Sequence, residues 1–464
     1  MVFSSLLFLT LFLPITILLY YIVPRRGKNA LLLAASIFFY AWGEPIHIVL
    51  MLITTVYMWL LGIGIEKSMA RGRKRSARLL LVLGVIFSVG TLAYYKYSGF
   101  ILEKLLFMDN VKSPALPIGI SFYTFQVLSY VIDVYRGEVR AQKNWVSFAM
   151  YISMFPQLIA GPIVRYADVE GQINQRHHSA SLVCEGIQRF TLGLGKKVLL
   201  ANEIGVLWKG LSAMENLSVL GAWGGAIAYA LQIYFDFSAY SDMAIGLGKM
   251  FGFEFTENFH YPYQAKSITE FWRRWHITLG TWFREYVYIP LGGNRKGKRR
   301  LVFNLLIVWS LTGLWHGADW QFLLWGVYYF LFLVFEKFVL LRRMEKWPVL
   351  LRHLYTLLVV LFGWVIFGCE DILAAKRMVR AMFGVGTCMS DSAARFLLSQ
   401  RLPLILGCLI GMTEFPKCVA RKLRRKIQPV RFEVLACGVT LLILGISISF
   451  LAADAYNPFL YFRF

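Results

Sequence analysis

Of 464 residues, 58% are hydrophobic and only 16% charged, at a mean hydropathy of +0.57. Soluble domains carry about 25% charged residues, so too few are present to cover a water-facing surface, and a soluble enzyme is excluded. The net charge of +23 sits in short clusters between apolar runs, as positive-inside topology requires; anionic lipid suits it as a secondary partner, and nucleic acid does not.

Apolar runs of roughly 20 residues, long enough to cross a bilayer core of about 30 Å, recur along the chain. The first, 3–23, is too long for a signal-peptide core, lacks a basic region before it and a small-residue cleavage site after it, and reads as a retained span. It ends at Arg25 and Arg26, which places the N-terminus outside. The stretch 29–42 returns outward, 46–65 crosses inward to the basic loop at 67–78, 79–95 goes out, and 117–134 comes back to Arg136, Arg140 and Lys143. Each of these clusters falls on one side.

The middle is less regular. Residues 145–164 contain Phe155-Pro156-Gln157 and Gly161-Pro162, which break a helix. Broken backbone at membrane depth is tolerated only where protein or a water-filled cavity covers it. Residues 165–189 are polar and suit an interfacial helix or loop, and 217–252 form a long span carrying Gln232, Asp236 and Asp242. The stretch 253–300 is mostly too polar to cross, and its Trp, Tyr and Arg content assigns it to the inner interface. Beyond it, 301–314 runs outward, 320–340 returns to Arg342-Arg343, 349–367 goes out, 402–412 comes in to the cluster at 417–431, and 432–451 goes out. The sequence therefore predicts an all-α polytopic membrane protein of about eleven crossings plus re-entrant pieces, with both termini outside. It forms one integral membrane domain over 1–464: N-terminal spans 1–144, a core 145–340 with the re-entrant pieces, and C-terminal spans 341–464. The largest external connection, 368–400, is too small for a catalytic domain of its own.

Ionisable residues inside a membrane are costly and are functional candidates. His316 closes the 301–315 segment, about 22 Å from its inner end at 1.5 Å per residue. It is either a general base or a buried histidine satisfied by a backbone carbonyl. His276 ends Phe271-Trp272-Arg273-Arg274-Trp275-His276, which reads as an interfacial anchor or as a site for an anionic, thioester-bearing donor, with Arg for phosphate and Trp for stacking. Gly292-Gly293-Asn294-Arg295 fits a plain turn better than a phosphate loop. Asp236 and Asp242, six residues apart, are about 120° out of phase on a helix and do not form an acid pair; one is expected to hold an Arg or a His, the other a structural hydrogen bond. His177 and His178 are adjacent in a polar loop, and neighbouring side chains point apart, so no metal is expected there. The six cysteines have no CxxC or metal spacing, and no GxSxG, P-loop, dinucleotide or zinc motif is present.

Longer motifs carry more information. They are Asn258-Phe259-His260-Tyr261-Pro262-Tyr263, Ser267-Ile268-Thr269-Glu270 running into the Trp-Arg-Arg-Trp-His segment, Trp282-Phe283-Arg284-Glu285-Tyr286, Ile289-Pro290-Leu291-Gly292-Gly293-Asn294-Arg295, and Thr312-Gly313-Leu314-Trp315-His316-Gly317. With residues 117–126 and 155–163, they resemble the membrane-bound O-acyltransferase (MBOAT) superfamily, its bacterial alginate O-acetyltransferase branch in particular. The resemblance covers nearly the whole chain and weakens after about residue 370. It implies a ring of tilted helices around a tunnel, in a bacterial plasma membrane, with an acyl donor entering from the cytoplasm and an acceptor from the opposite side.

It further implies that His316 is catalytic and that His276 occupies the family's second polar position. Trp272, Arg273, Arg274 and Trp275, with Asp236, Gln126 and Trp315, become candidates for binding donor or substrate. In this reading His316 is the general base on an acceptor hydroxyl, while His276 with Arg273 or Arg274 orients the donor or stabilises the oxyanion. No resident cofactor is expected, only acetyl-CoA or an acyl-carrier thioester as donor substrate. The expected partners are a polysaccharide acceptor or a separate extracytoplasmic acetyltransferase. Three rival readings are a D-alanyl transfer protein of teichoic acid modification with a carrier-protein donor, a transporter of an acyl donor with histidines as proton relay, and a scaffold for an export complex. No inverted halves of the kind many transporters show are visible.

Overall fold

The computed structural model describes residues 1–108, 113–453 and 459–460. Among them the chain is helical throughout, with one isolated antiparallel bridge, Phe259 to Trp275. Helices satisfy every backbone group internally, which lipid demands.

Among the described residues, five helices are long and apolar enough to cross a membrane: His47–Ala70, Lys74–Tyr97, Trp320–Met344, Val349–Gly368 and Pro429–Ala453. A sixth span is available if Ser392–Gln400 and Leu402–Gly411, bent by 58°, act together. Several other stretches read as crossings are shorter or more polar. Lys28–Ala41 has 14 residues, Ile120–Arg136 has 17, and Lys298–His316 carries Asn304 and His316. Others change winding within one rod, as at the π-helical segments Phe8–Phe12, Lys196–Ala201 and Glu336–Leu340, a feature frequent near functional sites.

Two compact units divide the chain. One comprises Met1–Phe190 and Ser241–Glu257, the other Thr191–Tyr240 and Asn258–Leu460. In the first, Phe3, Phe8, Phe12 and Phe39 surround Phe155, with ring centroids 5.3 to 6.4 Å from it. The break anticipated at 155–162 is present: Trp145–Ser153 ends, Phe155–Leu158 forms a single turn with Pro156 in it, and the whole stretch is buried. Arg189 joins Asp242 at 2.6 Å and Glu257 at 2.7 Å, so Asp242 holds an arginine. His178 Nε2 lies 2.8 Å from the Tyr20 hydroxyl.

In the second unit the segment 368–400 is more than a connection. Helix Ile372–Met382 packs Ala375, Met378, Ala381 and Met382 against Ala222, Ala226 and Val365, and Val219 and Leu220 donate their N–H groups to Cys388 and Met389 carbonyls. The Gly292-Gly293 stretch is a turn, as its composition indicates: both glycines have positive φ, and Asn304 Nδ2 donates to Gly293 O at 2.9 Å.

Helices Lys298–His316 and Trp320–Phe335 cross where Gly313 faces Gly326. A Cβ on Gly313 would lie 2.3 Å from Phe322 O, and one on Gly326 would lie 2.3 Å from Trp309 O. Backbone cannot yield as a side chain can. Gly313→Ala and Gly326→Ala are each expected to cost roughly 1–3 kcal/mol, seen as a lowered thermal midpoint in detergent. Gly438→Ala, where a Cβ meets nothing within 4 Å, is expected to leave the midpoint unchanged or raised.

Candidate active site

The geometry around both histidines belongs to the second unit. Helix Ile268–Arg274 starts at Ser267, whose Oγ accepts from Glu270 N–H at 3.0 Å, while Glu270 Oε2 accepts from Lys266 N–H at 2.8 Å. A second carboxylate arrives from far along the chain. Glu336, fully buried, accepts from the N–H groups of Ile268 at 2.6 Å and Thr269 at 2.8 Å, and from the Thr269 hydroxyl at 2.7 Å. A negative charge at a helix N-terminus satisfies orphan donors and the macrodipole together.

The helix ends at Trp275, and the chain turns sharply at His276, which has φ 47° and ψ 54°. Such left-handed backbone is uncommon for a side chain that is not Gly, Asn or Asp, and it marks functional sites often enough to merit attention. Two strips of backbone hold the turn: His260 N–H donates to Arg274 O at 2.9 Å and Ile277 N–H to Asn258 O at 3.0 Å. The Asn258 side chain completes the clamp. Its Oδ1 accepts from Thr278 N–H at 3.2 Å and from the Thr278 hydroxyl at 3.0 Å, and lies 3.1 Å from His276 Nδ1. A backbone N–H can only donate, so Oδ1 is the oxygen, and His276 Nδ1 must carry the proton. Nε2 of the neutral ring then bears the lone pair. Burial pushes the imidazole well below its ordinary pKa, so it stays neutral at pH 7.

His316 is the last residue of its helix, and Gly317 follows in extended backbone. A Cβ there would lie 2.1 Å from the Phe322 ring. The His316 ring is walled by Trp315, Trp325 and Phe367 at centroid distances of 5.0, 5.0 and 5.2 Å. Trp315 also lies 5.8 Å from the His276 ring, so one indole stands between two buried histidines. Phe237 meets His276 edge-on at 4.7 Å.

The other sequence candidates divide. Trp272 is set among Trp309, Trp325 and Tyr329 at 4.8, 5.5 and 4.7 Å, and Trp275 among Phe259, Phe271 and Trp364; both rings are used as packing. Arg274 is paired with Glu270 at 2.7 Å. Arg273 is exposed and, among the described residues, forms no ion pair. Gln126 is buried on a helix of the first unit. With Asp242 holding the arginine, Asp236 makes the structural hydrogen bond expected of the other carboxylate and gains a lysine partner besides. It pairs with Lys197 Nζ at 2.6 Å, both side chains at most 3% exposed, and accepts from Leu460 N–H at 2.8 Å.

Three residues that hold this geometry together were not singled out by the sequence reading: Asn258, Glu336 and Lys197. Glu336 and Lys197 each put a charge in an apolar run, a signal that was available; Asn258 gave none beyond its motif. Removing the cap tests its weight. Glu336→Ala leaves three donors without their acceptor and is expected to lower stability by roughly 1–3 kcal/mol per buried unsatisfied group, with Glu336→Gln intermediate, both read from thermal unfolding in detergent.

The family model described as MBOAT, membrane-bound O-acyltransferase family, matches residues 138–374. The chain is 41% identical over 489 residues to the probable alginate O-acetylase AlgI of Pseudomonas putida, and 40% identical over 501 residues to that of Azotobacter vinelandii, with 100% of both chains covered in each case. It is 31% identical over 517 residues to the peptidoglycan O-acetyltransferase of Helicobacter pylori, covering 100% of this chain and 98% of that one. With its apolar helices, the protein is a multi-pass membrane acyltransferase and belongs to the membrane-bound O-acyltransferase family.

Proposed function

We propose that this protein transfers a short acyl group, acetyl, from a thioester donor on the cytoplasmic side of a bacterial plasma membrane to a hydroxyl destined for an extracytoplasmic polysaccharide. The observation that carries the proposal is the pair of buried histidines flanking Trp315, set on two segments that both match the family's motifs. About eleven tilted or broken crossings around a tunnel accommodate the approach of donor and acceptor from opposite faces. Relatives named for alginate and for peptidoglycan O-acetylation support a polymer acceptor, reached directly or through a separate extracytoplasmic acetyltransferase.

In the proposed mechanism His316 takes the proton of the acceptor hydroxyl as its oxygen attacks the thioester carbonyl. The tetrahedral oxyanion collapses, the carbon–sulfur bond breaks, and the thiolate leaves and is protonated. His276, neutral with Nδ1–H held by Asn258, offers Nε2 as an acceptor, which suits positioning a hydroxyl or the donor better than stabilising an oxyanion. Arg273, with no ion pair to give up, is the stronger candidate for a donor phosphate, since Arg274 is engaged by Glu270.

General base catalysis is worth about 10²–10⁴-fold. His316→Ala in full-length protein is expected to cut acetyl transfer by that factor while membrane insertion and thermal midpoint hold. Normal acetylation of the polymer by this variant would remove His316 from the mechanism. Transfer only from a carrier-linked acyl group, and not from labelled acetyl-CoA, would reassign the donor towards that of the D-alanyl transfer relatives. Intact acetylation by the double His276/His316 variant would favour a scaffold or a donor transporter.

A further inference from the structure

Away from the histidines, the first unit gathers positive charge without an acid to balance it. Lys28 opens helix Lys28–Ala41 and is only 8% exposed. Its Nζ sits 4.2 Å from the Tyr20 ring centroid and 4.9 Å from that of Tyr21. Arg176 is fastened to the same helix by Nη2 donating to Asn29 Oδ1 at 2.6 Å, and its guanidinium covers the Phe253 ring at 4.5 Å. Its Nη1 is buried with no hydrogen-bond partner. Exposed Arg25 lies three residues before Lys28, and no side chain caps the helix. Among the described residues, no carboxylate forms an ion pair with Lys28, Arg176 or Arg25. The charges that act on Lys28 are those of Arg176 and Arg25. Like charges so assembled destabilise one another unless an anion joins them.

An apolar groove lies along the helix that Lys28 opens. It runs between the Phe8–Ile22 helix and Lys28–Ala41, and it is lined by Leu11, Ile15 and Leu19 on one side and Leu31, Ala35 and Phe38 on the other, with a cavity volume of about 370 Å³. Lys28, Leu31, Ala35 and Phe38 fall at i, i+3, i+7 and i+10, one stripe of one helix. The ammonium therefore heads the stripe that walls the groove. The lining extends from Leu19 back to Leu7, about 18 Å at 1.5 Å per residue, close to the hydrocarbon depth of one leaflet.

We infer that this groove is a specific site for an anionic phospholipid, its phosphate held by Lys28, Arg176 and Arg25 and one acyl chain lying between the two helices. Charge complementarity selects the lipid: a zwitterionic headgroup brings an ammonium into a cluster that has three cations already. The site uses none of the residues assigned to the transfer chemistry.

Full-length protein in detergent, titrated with phosphatidylglycerol and with phosphatidylethanolamine of matched chains, tests the assignment by native mass spectrometry and thermal midpoint. Phosphatidylglycerol is expected to be retained roughly fivefold better or more, at about one such factor per cation engaged, and to raise the midpoint. Lys28→Gln, and Arg25→Gln as a surface variant with no structural role, are each expected to reduce that preference several-fold. Ala35→Phe, which fills the groove, is expected to reduce binding of both lipids. Equal retention of the two lipids by the unaltered protein, or an undiminished preference in both cation variants, overturns the proposal. A midpoint rise of the same size with inorganic phosphate alone overturns the lipid assignment and leaves a site for a soluble anion.

Discussion

The Glu336 carboxylate holds the segment that carries His276 in place. Three donors from Ile268 and Thr269 converge on it, and they begin the short helix that ends at Trp275. A seven-residue helix is too short to persist by propensity alone. Its register therefore comes from partners: the buried charge at its start, the tryptophans packed along it, and the Asn258 clamp at its end. Since His276 follows in left-handed backbone, small errors upstream would swing its ring out of reach of Trp315. A charge at this depth is costly, and three hydrogen bonds at one helix terminus are what offset the cost.

His316 is located by different means. Its helix approaches Trp320–Phe335 at a glycine pair, backbone against backbone, an arrangement in which small residues permit close packing in membranes. The turn at Gly317 then leaves the imidazole inside an aromatic wall of Trp315, Trp325 and Phe367. Aromatic rings supply area and rigidity with few rotatable bonds, so the His316 ring is buried among rigid neighbours. One histidine is thus placed by polar capping and the other by glycine packing, and Trp315 is the common neighbour.

Charge elsewhere follows a consistent rule. Asp236 and Asp242, on one helix, point to different partners: Lys197 for the first, Arg189 for the second. Both carboxylates find a cation, which offsets the cost of burying a charge. The group around Lys28 differs, for there cations meet aromatic faces.

The sequence alone determined the membrane class and the helical content and singled out two histidines as candidates, because hydropathy, basic clusters and long motifs are local properties of the chain. The helix break at 155–162 was equally legible, since proline and glycine act on their own backbone. It did not determine which helices cross cleanly. Shortness, bends and π-helical windings answer to packing between helices, so among the described residues five helices meet the length and hydropathy of a span by themselves where about eleven crossings were expected. Nor did it pair Lys197 with Asp236, Glu336 with Ile268 and Thr269, or Asn258 with His276. Those outcomes depend on residues 18 to 68 positions apart being brought within a hydrogen bond of each other. Only the tertiary structure decides such contacts, because burial makes an unsatisfied charge or amide more costly than any local preference.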